Sequence, residues 1–352
     1  MSGDAPVTSE KATTRGDGKR PPRDALVERH YATTGGSRVL ERAGVVMYRV
    51  ARAIVGRLPP RLAWTVLGWI MQITYRVWPA KRRWVNINFS HVLGLPLEDP
   101  AVRRLALRAY RNYARYLVEL MRLPRMPLAD VAKRVEPDGL DTFLEIWRET
   151  GGVILLAAHV GNNEFLTAGV ASLGLPLNVL GDDTSFPELF DLLKRERAKW
   201  GVRIVPWRQL REVFGILRRG EMLGLLVDWG YRADGIPVRL FGSCTTLPAG
   251  PAILAGKTGA LIIPIVSHRR PDGTFYVTME APIRVTSTDP AEISRGTQAV
   301  ADALEKIVGA APDQWYSFKP LWPTTADERE ALARRVAMPS RDAAGAGAEI
   351  AG

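Results

Sequence analysis

Short aliphatic runs that alternate with helical segments constrain this chain more than any other feature. From Gly139 onward, most of these runs are followed by a segment with helical patterning and a glycine or proline at its boundary. The runs read VILLAA, LNVLG, RIVP, MLGLLVD, ALIIPIVS and TFYVTMEA. Such runs are typical of buried strands, and helices between them form crossover connections. We therefore predict an α/β fold with a mixed, mostly parallel central sheet flanked by helices.

The section before this pattern is helical and has the character of a membrane interface. The run Leu62–Tyr75 carries no charge, but it is shorter than the roughly 20 apolar residues that span a bilayer. Arginines flank it, and tryptophans are spread along it at Trp64, Trp69 and Trp78. Both residue types favour the boundary between lipid and water. A buried helical hairpin or one short anchor would also fit, and we favour helices that lie on the membrane surface.

A longer helix is predicted next, over Pro100–Leu123. Its arginines recur every three or four residues and therefore share one face: Arg104, Arg108, Arg111 and Arg115. This face is either solvated or in contact with lipid phosphates. Glu119 follows Arg115 by one helical turn, and we expect these two side chains to pair.

These patterns divide the chain into four sections. Residues 1–39 are polar, with no apolar stretch behind their charges, which predicts a disordered tail without a signal peptide. Residues 40–135 form the helical, membrane-associating section, and residues 136–325 form the α/β core. Residues 326–352 are predicted to be a C-terminal helix followed by a second disordered tail.

The net positive charge favours anionic partners, and the motifs that the sequence lacks argue against several classes of them. The formal net charge is +11, which suits nucleic acid, anionic lipid surfaces or phosphorylated substrates. The motifs of RNA-binding sheets, helix-turn-helix proteins and zinc fingers are absent from the sequence. Glycine-rich phosphate loops are absent too, and the single cysteine excludes an intrachain disulfide. We predict no metal, no cofactor and no nucleic-acid partner.

The stretch GGVILLAAHVGNNEF contains the strongest candidate for chemistry. His159 comes at the end of the predicted strand Val153–Ala158, and ligands of open α/β sheets bind at the carboxyl ends of strands. Gly161 permits a tight turn, and Asn162 or Asn163 can cap the following helix. Glu164 then lies in the first helical turn, close enough to meet the imidazole.

A histidine beside a carboxylate can act as a general base. The carboxylate fixes the imidazole tautomer, and the imidazole then takes a proton from a hydroxyl. No G-x-S-x-G elbow is present, which argues against a lipid hydrolase and assigns that hydroxyl to a substrate. Backbone N–H groups at Gly161–Asn163 would stabilise the oxyanion. A histidine that is merely hydrogen-bonded at a strand end is an equal alternative from spacing alone.

Several blocks of the sequence resemble one family. HVGNNEF resembles the H-x-x-x-x-[DE] block of the lysophospholipid acyltransferase superfamily, and ILLAAHVGNNEFLTAG resembles the branch with the late acyltransferases of lipid A biosynthesis and the phosphatidylinositol mannoside acyltransferases. VPWRQLREVFGILRRGEMLGLLVDWGYR is similar to the second and third blocks, and GIPVRLFGSCTTLPAGPAILAGKTGALIIPI to a later one. The resemblance covers roughly Arg42 to Pro320. Asn163 replaces a tryptophan common in that branch.

The resemblance implies an enzyme that moves a fatty acyl chain from an acyl thioester to a hydroxyl of a membrane lipid or glycolipid. The donor would be acyl-CoA or acyl carrier protein, and the hydroxyl would attack directly, without an acyl-enzyme. His159 would be the general base, and Glu164 its orienting partner. Asp228 matches the third-block acid and is the alternative partner for His159; the sequence leaves both acids open.

The resemblance also suggests substrate contacts and a location. Either Arg208 or Arg211 matches the second-block arginine, which would hold a phosphate of the donor or acceptor. Asn162, Asn163 and Arg232 are further candidates for substrate binding. The expected location is the cytoplasmic face of the bacterial inner membrane. A lysophospholipid acyltransferase, or a non-catalytic basic protein that binds membranes or nucleic acid, is the alternative function.

Overall fold

The computed structural model of the chain describes residues 35–183 and 187–337, with side chains from residue 42 onward. Most of the predicted tail at 1–39 and the end of the chain after residue 337 therefore lie outside the described residues. A helix already begins at Gly35, inside the predicted N-terminal tail. The division of the chain into four sections stays a prediction.

Five helices precede the core. Their bounds are α1 Gly35–Val55, α2 Pro60–Val77, α3 Pro79–Leu93, α4 Pro100–Arg122 and α5 Leu128–Ala132. Proline stands at the start of α2, α3 and α4, where its missing N–H costs no hydrogen bond. Asp99 caps α4 by accepting a hydrogen bond from the amide of Ala101 at 2.7 Å. Helix α4 ends within one residue of the predicted boundary. Within the described ranges, none of the helices has both the length and the apolar character to cross a bilayer.

The core alternates strands and helices as predicted. Its strands are β1 Val135–Pro137, β2 Val153–Ala157, β3 Leu177–Gly181, β4 Arg203–Pro206, β5 Met222–Leu226, β6 Ile236–Leu240, β7 Ser243–Leu247, β8 Leu261–Arg269 and β9 Phe275–Met279. Its helices are α6 Leu140–Thr150, α7 Asn163–Ser172, α8 Pro187–Ala198, α9 Leu210–Arg218, α10 Gly250–Thr258, α11 Pro290–Ala310 and α12 Ala326–Ala337. A short 3₁₀ turn, Pro312–Gln314, follows α11.

Seven strands form one central sheet in the order β1-β9-β8-β2-β5-β3-β4. All neighbouring pairs in it are parallel except β8 and β9, which are antiparallel. Strands β6 and β7 form a separate antiparallel hairpin. The prediction of a mixed, mostly parallel sheet with flanking helices is confirmed.

Strand β2 lies in the middle of the sheet and is buried on both faces. Ile154 and Leu156 belong to the core beneath α4 and α11, whereas Val153 and Leu155 pack with residues of α6 and α7. This alternation follows from the two-residue period of a strand. Burial on both faces explains why the sequence of β2 is continuously apolar. Its carboxyl end is consequently held rigidly, and the next residues project from a fixed edge.

Candidate active site

His159 and Asp228 meet where β2 and β5 end. The two strands run parallel, with Ala157 opposite Leu226 in the pairing, so the side chains two residues farther on come side by side. His159 Nδ1 lies 2.7 Å from Asp228 Oδ1. The backbone N–H of His159 donates to the second carboxylate oxygen at 2.9 Å. With Nδ1 donating its proton to the carboxylate, Nε2 is left as the basic nitrogen.

The carboxylate of Asp228 is buried and still fully hydrogen-bonded. Its side chain is 0% exposed, and Trp315 Nε1 donates a third hydrogen bond to it at 2.9 Å. Burial alone raises the pKa of Asp228, but the charge and hydrogen bonds of His159 and the Trp315 hydrogen bond outweigh it, so the pKa is lowered. Asp228 is therefore ionised and able to stabilise an imidazolium.

The imidazole of His159 is accessible and basic. Its side chain is 30% exposed. Burial lowers the pKa of His159, and the nearby charge of Lys319 lowers it a little further. The charge and hydrogen bond of Asp228 raise it by more, so the pKa lies above the ordinary 6.5. An accessible imidazole with a buried, ionised partner is the arrangement that general-base catalysis requires.

A tight turn carries the chain from His159 into α7. Gly161 has a φ of +64°, and a Cβ there would lie 1.6 Å from the backbone oxygen of Ser267. The Gly161 N–H donates to the Gln314 carbonyl at 2.9 Å, and the Asn162 N–H donates to the Ser267 carbonyl at 3.0 Å. Both amides are thus engaged within the fold and are not available to an oxyanion, while the same role for the Asn163 amide stays a prediction.

The side chain of Asn162 holds the start of α7. Its Oδ1 accepts hydrogen bonds from the amides of Glu164 and Phe165, as predicted for a helix cap. Its Nδ2 donates to Glu119 at 2.7 Å. The side chain is fully buried, which corrects the prediction that it binds substrate. Asn163 Nδ2 donates to the Ala158 carbonyl at 2.8 Å, and a substrate contact of this side chain stays a prediction.

The spacing in α4 predicted a pair between Glu119 and Arg115, and the structure does not form it. Glu119 forms a two-bond ion pair with Arg269, with distances of 2.7 and 2.6 Å. Arg269 is almost fully buried, and the charge of Glu119 outweighs the effect of burial and raises the pKa of the guanidinium. Through Asn162, this pair fixes α4 and β8 to the turn that follows His159.

Glu164 is not the partner of His159. It forms a nearly buried ion pair with Arg197 of α8, whose Nε donates to Glu164 Oε2 at 2.9 Å. The neighbouring Glu196 pairs with Arg52 of α1. Glu164 points away because it lies one residue into α7, whereas Asp228 is brought to His159 by strand pairing. The expectation that Glu164 orients the imidazole is corrected in favour of the alternative acid.

The three predicted arginines lie on exposed loops and helix ends around the carboxyl edge of the sheet. Arg208 follows β4 and pairs with Asp183, which follows β3, at 2.9 Å. Arg211 is exposed in the first turn of α9. Arg232 follows β5 and forms an ion pair with Asp234 at 2.6 Å. Arg208 is at the same sheet edge as His159, while the binding role of each arginine stays a prediction.

Sequence reasoning missed the aromatic and cationic groups around the dyad. Trp229 lies edge-on to the His159 ring, with ring centres 5.6 Å apart, and Lys319 Nζ is 4.3 Å from the Trp229 ring centre. Trp315 and Lys319 come from the segment after α11, which has no strand or helix periodicity to place it. Both residues belong to the run WYSFK, Trp315–Lys319, and its aromatic residues were the available signal. The described residues contain no group of three or more side chains arranged to hold a metal ion.

The sequence is similar to a family of known proteins over most of its length. The sequence matches the family described as bacterial lipid A biosynthesis acyltransferase over residues 34–324. It is 26% identical to the phosphatidylinositol mannoside acyltransferase of Mycolicibacterium smegmatis over 253 residues, covering 69% of this chain and 81% of that protein. It is 27% identical to the Mycobacterium tuberculosis protein of the same name over 245 residues, covering 67% and 75%.

A relative named for lipid A also matches. The Escherichia coli lipid A biosynthesis lauroyltransferase is 23% identical over 245 residues, which is 67% of this chain and 77% of that protein. The family match includes both strands that carry the dyad and the segment that contributes Trp315. The chain is therefore a member of the bacterial lipid A biosynthesis acyltransferase family.

Proposed function

We propose that this chain transfers a fatty acyl group from an acyl thioester to a hydroxyl of a membrane glycolipid, with His159 as the general base. The observation that carries the proposal is the His159–Asp228 pair at the carboxyl edge of the sheet. An acyl thioester is already activated, so the enzyme must mainly orient the reactants and remove one proton. The dyad supplies that proton transfer without a metal or a nucleophilic side chain.

The proposed reaction has one covalent exchange. His159 Nε2 takes the proton of the acceptor hydroxyl as its oxygen attacks the thioester carbonyl. The new C–O ester bond forms, the C–S bond breaks, and the imidazolium returns the proton to the departing thiolate. Asp228 stabilises the imidazolium between these steps. Lys319 lies over the Trp229 ring, and its charge acts on His159, so it is our candidate for stabilising negative charge on the carbonyl oxygen.

Helices α1 and α2 support action at a membrane surface. Both helices expose large apolar side chains at helical spacing, and Trp78, which directly follows α2, is exposed as well. The exposed side chains are Val46, Met47, Val50 and Ile54 on α1, and Leu62, Val66, Trp69, Ile70, Ile73 and Val77 on α2. An exposed apolar surface of this kind marks an interaction site. Arginines at the ends of both helices suit an anionic bilayer. We call these apolar side chains the apolar stripe, and we propose that it lies in the lipid–water interface.

The acceptor proposed is a glycolipid, because the relatives are named for mannosylated phosphatidylinositol and for lipid A. A lysophospholipid acceptor is the alternative within the same chemistry. The donor is acyl-CoA or acyl carrier protein. Neither a cofactor nor a nucleic-acid partner has a role in this mechanism.

A reconstituted assay tests the function. The purified chain is incubated with acyl-CoA or acyl carrier protein donors and, in separate reactions, with a phosphatidylinositol mannoside, a lipid A precursor or a lysophospholipid. Mass spectrometry should find one glycolipid heavier by a single acyl chain, and the His159→Ala chain should form almost none. Free fatty acid without an acylated lipid would identify a hydrolase instead. Turnover of the lysophospholipid alone would select the alternative acceptor.

A further inference from the structure

A basic cleft lies between α2 and α4, on a part of the molecule that the proposed reaction does not use. Its volume is about 760 Å³, and its lining includes Arg61, Trp64, Arg108, Arg111 and Arg115. We call it the arginine cleft. A second hollow of about 520 Å³ shares Gln72, Arg108 and Arg111 with it and adds Arg104. The arginine stripe of α4 therefore faces a groove.

The arginines of the cleft have no carboxylate partner among the described residues. Other arginines of the helical section are engaged: Arg52 pairs with Glu196, and Arg122 donates to the carbonyls of Val55 and Leu58. Asp313 is the one acidic residue in the lining, and it accepts a hydrogen bond from Asn112 at 3.1 Å. Unpaired like charges at this spacing repel, and an anion in the cleft would relieve that repulsion.

The walls of the cleft fit a lipid better than a soluble anion. Trp69 belongs both to the cleft and to the apolar stripe, and it is 64% exposed. Arg115 lies over the Trp64 ring at 5.6 Å, and the Trp64 indole N–H has no acceptor within the described structure. A phosphate in the cleft would thus have donors around it and an apolar surface beside it. A phospholipid supplies the groups for both surfaces.

The cleft is joined to the dyad through the segment after α11. Asp313 lines the cleft, and both its carbonyl and its carboxylate accept hydrogen bonds from Asn112. The next residue, Gln314, accepts from Gly161 of the turn, and Trp315 donates to Asp228. A lipid held in the cleft would therefore fix the orientation of the dyad relative to the bilayer.

We propose that the arginine cleft binds the phosphate of an anionic glycerophospholipid of the bilayer, whose acyl chains lie along the apolar stripe. This inference rests on the proposed action at a membrane surface. The lipid is an orienting ligand, and it is distinct from the acceptor and the donor. Arg108 and Arg111 are the central contacts because they line both hollows.

Vesicle binding tests the cleft. The full chain is sedimented with vesicles of phosphatidylcholine alone or mixed equally with phosphatidylglycerol. Arg108→Ala/Arg111→Ala should weaken binding to the anionic vesicles about 30-fold, since each arginine at the surface contributes about fivefold. The matched control Arg148→Ala/Arg284→Ala removes the same charge from exposed positions outside the cleft, and it should bind within about twofold of the unaltered chain. Equal losses in both variants, or no loss in the cleft variant, overturn the site.

Two further measurements separate this inference from the catalytic proposal. The His159→Ala chain should bind the anionic vesicles like the unaltered chain, so a failure of the proposed chemistry leaves this readout intact. Photoactivatable phosphatidylglycerol should crosslink the unaltered chain within residues 61–72 or 104–115, which requires no variant to fold. Adducts confined to other segments overturn the proposal. So does a cleft variant that loses binding of acyl carrier protein or coenzyme A while keeping its vesicle binding.

Discussion

His159 Nδ1 and Asp228 Oδ1 lie 2.7 Å apart because the two strands that precede them pair in parallel. Each residue follows a buried strand at the same position, and neither side chain depends on a flexible loop for its placement. Trp315 and the His159 amide complete the hydrogen bonding of the carboxylate. The pair is thus preorganised, with one nitrogen of the imidazole left for substrate.

Replacing Asp228 with asparagine should remove most turnover without unfolding the chain. The amide has one acceptor oxygen for the three donors that Asp228 now satisfies. Either the tautomer of His159 with a proton on Nδ1 would no longer be held, or the His159 amide or Trp315 would lose its hydrogen bond. Comparable changes in catalytic triads cost about 10⁴-fold in kcat. Initial rates, with circular dichroism as the folding control, check this. A kcat within about tenfold of the unaltered enzyme would remove Asp228 from the mechanism.

The pH dependence should report the raised pKa of His159. The base must be neutral, so kcat/KM should rise with pH through an apparent pKa above 6.5. The sign is opposite for stability: the raised pKa stabilises the fold below about pH 6.5, and this contribution is lost as pH rises through the folded-state value. In the residual activity of Asp228→Asn the apparent pKa should fall. An unchanged midpoint in that variant would contradict the assignment.

Glu164 should matter for stability more than for the pH profile. Glu164→Gln leaves Arg197 buried without its partner, and breaking a buried pair costs about 3 kcal/mol or more in the free energy of unfolding. Urea unfolding of Glu164→Gln, Arg197→Met and the double variant should give a coupling energy of at least about 1 kcal/mol. The apparent pKa of activity should stay where it is. A shift like that of Asp228→Asn would return Glu164 to the dyad.

The turn after His159 should not tolerate a side chain. Gly161→Ala places a Cβ against the Ser267 carbonyl at a positive φ, and we expect a loss of about 3 kcal/mol in unfolding free energy and most of the turnover. Gly174→Ala is the matched control. Its φ is +71° but its Cβ would meet no atom within 4 Å, so only the conformational cost of about 1–2 kcal/mol applies. Equal effects at the two glycines would show that the close approach to β8 is unimportant.

Most strands of the sheet were predictable, because a strand is indicated by a short run of neighbouring residues. Six of the nine described strands are short aliphatic runs between boundary residues, and the predicted runs match these strands to within about two residues. Strands β1, β6 and β7 were not predicted, because VEP, IPVRL and SCTTL lack a continuous aliphatic pattern. The candidate pair was predictable only in part. His159 and Asp228 both stand at strand ends, but which strands are neighbours is set by the order of the whole sheet.

The ion pairs could not be predicted, because they join residues that are distant in the chain. Helical spacing favoured Arg115 for Glu119, whereas burial against β8 selects Arg269. Proximity in sequence favoured Glu164 for His159, whereas in the structure Glu164 pairs with Arg197, which lies on α8 and is 33 residues away in the chain. In both cases a long-range partner replaces a local one, since a buried charge needs a partner that is buried with it.

The most direct test of the account is the rate of acyl transfer by His159→Gln, measured with purified protein above the pKa of the base. Glutamine can still donate to Asp228 but cannot accept and return a proton, so we predict a fall in kcat of about 10³-fold. The free energy of unfolding and the affinity for anionic vesicles should stay unchanged. A rate within about twofold of the unaltered enzyme would show that this imidazole does not carry the proton.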